Sequence, residues 1–178
     1  MAGIISLLEG AGAERVERLM DGMAREFGVA RGFPGGEPHL SYHLGDYPPE
    51  PPATVRVGRL ARETKSFEIQ VSGYGVFGGP APVLYLAVAR GPELAALHLA
   101  IRAALGGLGF ANNPYYEPAT WIPHITLAQQ NLLASAFPAV AAWLRNQDLQ
   151  FRARITNLAF ARETPAALEV LASFRLAE

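Results

Sequence analysis

Cysteine is absent from the 178 residues, and histidine occurs only four times. The first absence excludes a disulfide framework, thiolate catalysis and cysteine-ligated zinc or iron–sulfur centres. Any catalysis must come from His, Ser, Thr, Tyr, Asp, Glu, Arg or the single Lys65. Excess charge is missing too: the formal net charge is −1. A broad basic face for nucleic acid is therefore not expected, whereas a focused anion pocket remains open. No apolar run approaches the ~20 residues that a membrane-spanning helix needs. The apolar stretch at residues 4–8 has no basic flank and is cut off by Glu9 and Gly10. It reads as a buried strand rather than a signal peptide, so cytoplasmic residence is the default expectation and no membrane partner is implied.

What is present is hydrophobic substance, at half of all residues, enough for a sizeable core. Residues 4–8 and 39–44 read as strands. Val16, Leu19, Met20, Met23 and Phe27 recur at helical spacing, and Gly28 stands where a C-cap glycine belongs. Residues 32–38 are a Gly/Pro loop, and residues 45–52, with Pro48, Pro49, Pro51 and Pro52, a stiff connection. Phe67, Ile69 and Val71 alternate as a strand that extends through Val76 and Phe77. Residues 83–89 form another, and residues 94–105 form a helix that ends at Gly106. A long loop covers 109–120, with Asn112, Asn113, Tyr115 and Tyr116. Residues 122–128 are a strand, and 132–143 a helix that can also start at Phe137-Pro138. Residues 151–155, 158–162 and 168–174 are strands.

Each half then reads strand, helix, loop, strand, helix, strand pair. His39 and His124 are 85 residues apart, while Phe67 and Phe151, and Val71 and Ile155, are each 84 apart. The matching helix in the second half favours helix for the ambiguous residues 53–63. The expected fold is α+β, a single domain over 1–178 with two pseudo-symmetric lobes near 1–80 and 81–178. Each lobe has a mainly antiparallel sheet with outer helices, strand exchange between lobes is allowed, and the active-site cleft lies between them.

The chemistry-bearing pattern is Pro38-His39-Leu40-Ser41-Tyr42 and Pro123-His124-Ile125-Thr126-Leu127. On a strand, residues i and i+2 share a face, so each histidine projects with a hydroxyl. Two imidazoles can act as base and acid, and two hydroxyls can hold phosphate oxygens between them. No metal is needed for in-line attack at phosphorus on that equipment.

These paired His-x-Ser/Thr-x segments, with Trp121-Ile122-Pro123-His124-Ile125-Thr126-Leu127 most of all, resemble the 2H phosphoesterase superfamily, whose best-known branch is named for 2′-5′ RNA ligase. The likeness runs over nearly the whole chain. It implies His39 and His124 as the catalytic pair and Ser41 and Thr126 as phosphate-binding residues, with no cofactor and no metal. It further implies opening of 2′,3′-cyclic phosphates on RNA 3′ ends or small cyclic nucleotides, with 2′-5′ ligation as the reverse direction. A monomer is expected. Two other readings compete: an inactive RNA-binding module, and a metal-dependent phosphatase with His39, His43 and His124 as ligands, His43 being expected on the face of His39 and Ser41.

Other features read as structural. His98 is expected in packing or on a helix surface. Gly73-Tyr74-Gly75-Val76-Phe77-Gly78 spells a dinucleotide fingerprint, but a second strand rather than a helix follows it. The glycines are better read as permitting a bulge or a close backbone approach. Tyr42, Tyr74, Phe77, Tyr115, Tyr116 and Trp121 are candidates for base stacking, with core packing favoured for Phe77 and Trp121. Arg56, Arg59, Arg62, Arg152 and Arg154 offer a local basic rim, with a solvated face as the default reading for the last two.

Overall fold

The computed structural model describes residues 2–30, 36–45, 51–79, 82–108, 113–129, 135–164 and 167–178. The Gly/Pro loop at 32–38 falls partly, and the proline connection at 45–52 mostly, outside these residues. Asn112 and the start of the 132–143 helix lie outside them too.

The first strand, β1 (Ala2–Leu7), is mostly apolar and almost wholly buried, which suits a position between two others. Helix α1 (Gly10–Phe27) buries Val16, Leu19, Met20 and Met23, one stripe at 3- and 4-residue spacing. It stops at Gly28, which takes the left-handed conformation (φ 66°) while its own N–H and that of Val29 return to the Ala24 and Met23 carbonyls. Then follow β2 (His39–Gly45), α2 (Pro51–Glu63), β3 (Phe67–Phe77), β4 (Val83–Val88), α3 (Pro92–Leu105), a 3-10 turn at Pro114–Tyr116, β5 (His124–Gln129), α4 (Phe137–Arg145), β6 (Gln150–Ile155), β7 (Asn157–Glu163) and β8 (Leu168–Arg175). The ambiguous 53–63 segment is helical, and α4 starts at Phe137, with Pro138 in its first turn.

The strands form one antiparallel sheet in the order β6-β3-β4-β5-β2-β1-β7-β8. From its centre the order runs β5-β4-β3-β6 one way and β2-β1-β7-β8 the other. β3 thus lies beside second-half strands, while β7 lies beside β1 with β8 outside it. This corrects one reading of the repeat. The 84-residue match of Phe67 with Phe151 joins β3 to β6, which are hydrogen-bonded neighbours with Phe67 opposite Ile155 and Val71 opposite Phe151. The counterpart of β3 by place in the sheet is β7.

One core cluster takes residues from all four helices and from one sheet face, including Leu40, Tyr42, Leu84, Leu86, Ile125 and Leu127. The helices therefore cover that face. The opposite face holds a second, small apolar group: Ile5, Ala159 and Ala161, with Leu7 and Leu168 against them. No described helix is long and apolar enough to cross a membrane.

Candidate active site

β2 and β5 meet at the centre of the sheet, and their ladder pair is Leu40 with Ile125. Both side chains point into the core beneath the helices. Residues on either side point the other way, because side chains alternate across a strand. Antiparallel pairing puts His39 and Ser41, and His124 and Thr126, around that central pair on the helix-free face. The two motifs thus lie side by side in one sheet rather than on walls that face each other.

The prolines that open both motifs have a structural use. Proline lacks an N–H, which suits a strand's first position. Its carbonyl is still available: Leu8 N–H donates to Pro38 O (2.8 Å) and Val88 N–H to Pro123 O (3.2 Å). Each motif is so tied to its neighbouring strand at the same place.

The likeness extends to irregularities. Ile4 and Ile5 pair with His43 and Ser41, so Tyr42 is an extra residue in β2. Leu84 and Tyr85 pair with Ala128 and Thr126, so Leu127 is an extra residue in β5. Both are β-bulges, and Tyr42 and Leu127 are 85 residues apart, like the histidines. The bulge corrects the placement of His43. Its partner Ile4 faces the helices, whereas Ile5, the partner of Ser41, faces the other way. His43 is therefore behind the sheet, 3 % exposed, with its ring 6.1 Å from Tyr116. His39, His43 and His124 do not converge, and among the described residues no three His, Asp or Glu side chains stand together as a metal site.

Both histidines have the same orientation device. His39 Nδ1–H donates to Glu37 O (2.9 Å) and His124 Nδ1–H to Ile122 O (2.7 Å), each two residues upstream. Carbonyls only accept, so both neutral rings carry their lone pair on Nε2. Burial pushes the His39 imidazole below its ordinary value; the Glu37 carbonyl opposes this and the His124 charge adds to it. Burial also lowers His124, against the Ile122 carbonyl. The His124 charge is thus felt at the His39 ring.

Their surroundings differ. Beside His124, Phe77 and Tyr85 stack on each other at 4.2 Å and meet the imidazole at 4.9 and 5.3 Å. Tyr85 lies across Gly75, where a Cβ would fall 2.5 Å from its hydroxyl oxygen. Gly73, at φ 82°, sits at the irregular register between Val71 and Tyr74. The glycine-rich segment thus serves a bulge and a close approach, as its sequence context implies. Phe77 is half-buried against His124 and Tyr85 and belongs to neither apolar cluster, so the core-packing expectation for it is corrected, and sequence alone missed this contact. Around Ile5, where Tyr85 has its counterpart on the His39 side, stand the aliphatic Ala159 and Ala161.

Of the other stacking candidates, Tyr42, Tyr116 and Trp121 are buried, while Tyr115 is 79 % exposed. Arg152 pairs with Glu68 (3.1 Å), Arg154 donates to Ser66 and Arg59 pairs with Glu63 (3.3 Å), all on exposed surface. Arg56 instead donates to the Ala104 and Gly106 carbonyls at the end of α3. His98 is fully buried in α3, as the packing reading expects.

A profile of the 2′-5′ RNA ligase superfamily matches residues 9–165. Comparison with curated proteins gives no match. Among solved structures, TT0787 of Thermus thermophilus superposes with a TM-score of 0.68 at 22 % identity, covering 99 % of this chain and 98 % of that one. E. coli LigT complexed with 3′-AMP gives 0.66 at 17 % identity, with coverage of 99 % and 98 %. The MHV ns2 PDE domain gives 0.51 at 18 % identity, again covering 99 % and 98 %. At these identities the likeness is one of fold.

Proposed function

The chain belongs to the 2′-5′ RNA ligase superfamily and is an enzyme of the 2H phosphoesterase class, and from this premise we propose that it opens 2′,3′-cyclic phosphates on RNA 3′ ends or small nucleotides without a metal. His39 and His124 supply the base and the acid, and Ser41 and Thr126 hold the phosphate. The observation that carries this reading is the matched pair of Nδ1 anchors, which leave Nε2 as the proton-exchanging nitrogen of both rings. The whole of 1–178 acts as one domain, with the site where its two lobes meet, β3 exchanged one way and β7 with β8 the other.

The chemistry follows from that arrangement. The neutral imidazole takes a proton from water at Nε2 as the water oxygen attacks phosphorus. The protonated imidazole gives its Nε2 proton to the departing ribose oxygen, so the ring opens to a monoester with one water consumed. Hydroxyls at Ser41 and Thr126 donate to non-bridging oxygens whose charge grows in the transition state. In reverse, acid and base exchange roles and a phosphodiester is formed. A nucleotide-sized partner is also supported by the fold relative LigT, whose structure holds 3′-AMP. A net charge of −1 favours a small or terminal phosphodiester over an extended RNA track.

Hydrolysis of a nucleoside 2′,3′-cyclic phosphate in the presence of EDTA tests this reading. Turnover that withstands chelation supports it. Tight RNA binding with no turnover would make the protein a binding module, and loss of turnover on chelation would make it a metal-dependent phosphatase.

A further inference from the structure

Trp121 stands three residues before His124, yet its side chain reaches the other motif. Its indole N–H donates to the Ser41 carbonyl at 3.1 Å. We propose that Trp121 is a positioning residue, which holds the Ser41 hydroxyl at the phosphate by fixing the backbone that carries it. The inference rests on the phosphate-holding role given to Ser41 above.

Three observations carry it. Ser41 needs such a tie because it follows the central Leu40–Ile125 pair and precedes the Tyr42 bulge, where the ladder to β1 is interrupted. The indole is itself fixed. It is 3 % exposed, stacked on the His98 ring at 3.9 Å and 16°, with the Arg90 guanidinium 5.8 Å from its ring. His98 is fixed in turn through Nε2 and the Tyr116 carbonyl (3.1 Å). Burial foremost, then Arg90 and Arg102, hold its pKa down to about 4, so it packs as a neutral ring. Finally, the tie has no twin among the described residues. The residue 85 positions before Trp121 is Gly36, which has no side chain with which to reach Thr126. The repeat is therefore broken at this point, and the Ser41 half of the phosphate site carries a support of its own.

The test is a double-mutant cycle on hydrolysis of a nucleoside 2′,3′-cyclic phosphate. Trp121 is replaced by 3-benzothienylalanine, which keeps the shape and puts sulfur where the N–H was; Trp121→Phe is the genetically simple companion. Ser41→Ala removes the hydroxyl but keeps the carbonyl. Loss of one buried hydrogen bond is expected to lower kcat about 5- to 30-fold with KM within about 2-fold. On the Ser41→Ala background the same replacement should have almost no further effect, since contacting residues that act as a unit are not additive. Wild-type kcat in the isosteric variant overturns the proposal, as does an undiminished further drop on the Ser41→Ala background. Wild-type kcat in Ser41→Ala alone would instead remove the phosphate role of Ser41, and the positioning role with it.

Discussion

Leu40 and Ile125 face each other at the centre of the sheet, the ladder pair that joins β2 to β5. Both are fully buried beneath the helices. His39, Ser41, His124 and Thr126 are each one residue to either side of them and point the opposite way. The pair is thus the pivot about which two copies of one motif are arranged, and their burial anchors the floor of the site in the hydrophobic core.

On the proposed two-histidine mechanism, the two lowered histidines should set the pH profile. kcat/KM reports the free enzyme, in which burial disfavours both imidazolium forms. The neutral base persists to lower pH than an ordinary imidazole allows, and the protonated acid is lost earlier. A bell is expected with its maximum on the acid side of 6.5, described by two macroscopic values that belong to the pair. Bound phosphate favours imidazolium, so the kcat profile should lie at higher pH than the kcat/KM profile. Initial rates from about pH 4 to about pH 9 check both; a kcat/KM maximum above about pH 7 contradicts the assignment.

Stability should also depend on pH through the histidines behind the sheet. Burial foremost lowers His43 and His98 from 6.5 to about 4. The charged groups facing them are Arg90, Arg102 and Glu117. As pH falls from 6.5 towards 4, the unfolded chain binds protons that the native one refuses, so stability falls through that window. Below it these two groups contribute no further loss. Urea midpoints at about pH 7, 5.5 and 4 measure the slope, and His98→Gln should flatten it. An unchanged slope in that variant would remove His98 from the account.

Gly75 matters for the room it leaves. A methyl group there would sit 2.5 Å from the Tyr85 hydroxyl oxygen and 2.6 Å from its ring carbon Cζ. Tyr85 cannot move without disturbing Phe77 and His124, which it touches. Gly75→Ala should therefore cost about 1–3 kcal/mol of stability, as overpacking does, and lower kcat. Gly78→Ala meets no atom within 4 Å and is the neutral control. Equal behaviour of the two variants in thermal melts and kinetics would contradict the wall beside His124.

Much of this was legible from residue patterns. Apolar alternation marks β2, β3 and β5, the spacing of Val16 to Met23 marks α1, and the two Pro-His segments mark the centre of the sheet. The losses have one physical origin: a strand's irregularities are written in its partner's register, not in itself. Nothing in Ser41-Tyr42-His43 announces the bulge that turns His43 to the helices. Nothing in the 84-residue spacing says that β3 and β6 pair with each other rather than hold equivalent places. The contact between Trp121 and Ser41 spans 80 residues and depends on how two strands lie side by side. The approach of Gly75 and Tyr85 belongs to the same class.

The most direct test of the two-histidine account is kcat for wild type, His39→Ala and His124→Ala on a nucleoside 2′,3′-cyclic phosphate in EDTA, with circular dichroism to verify folding. Each substitution removes a general acid or base and should lower kcat about 10²- to 10⁴-fold. Wild-type kcat in either folded variant would contradict the account.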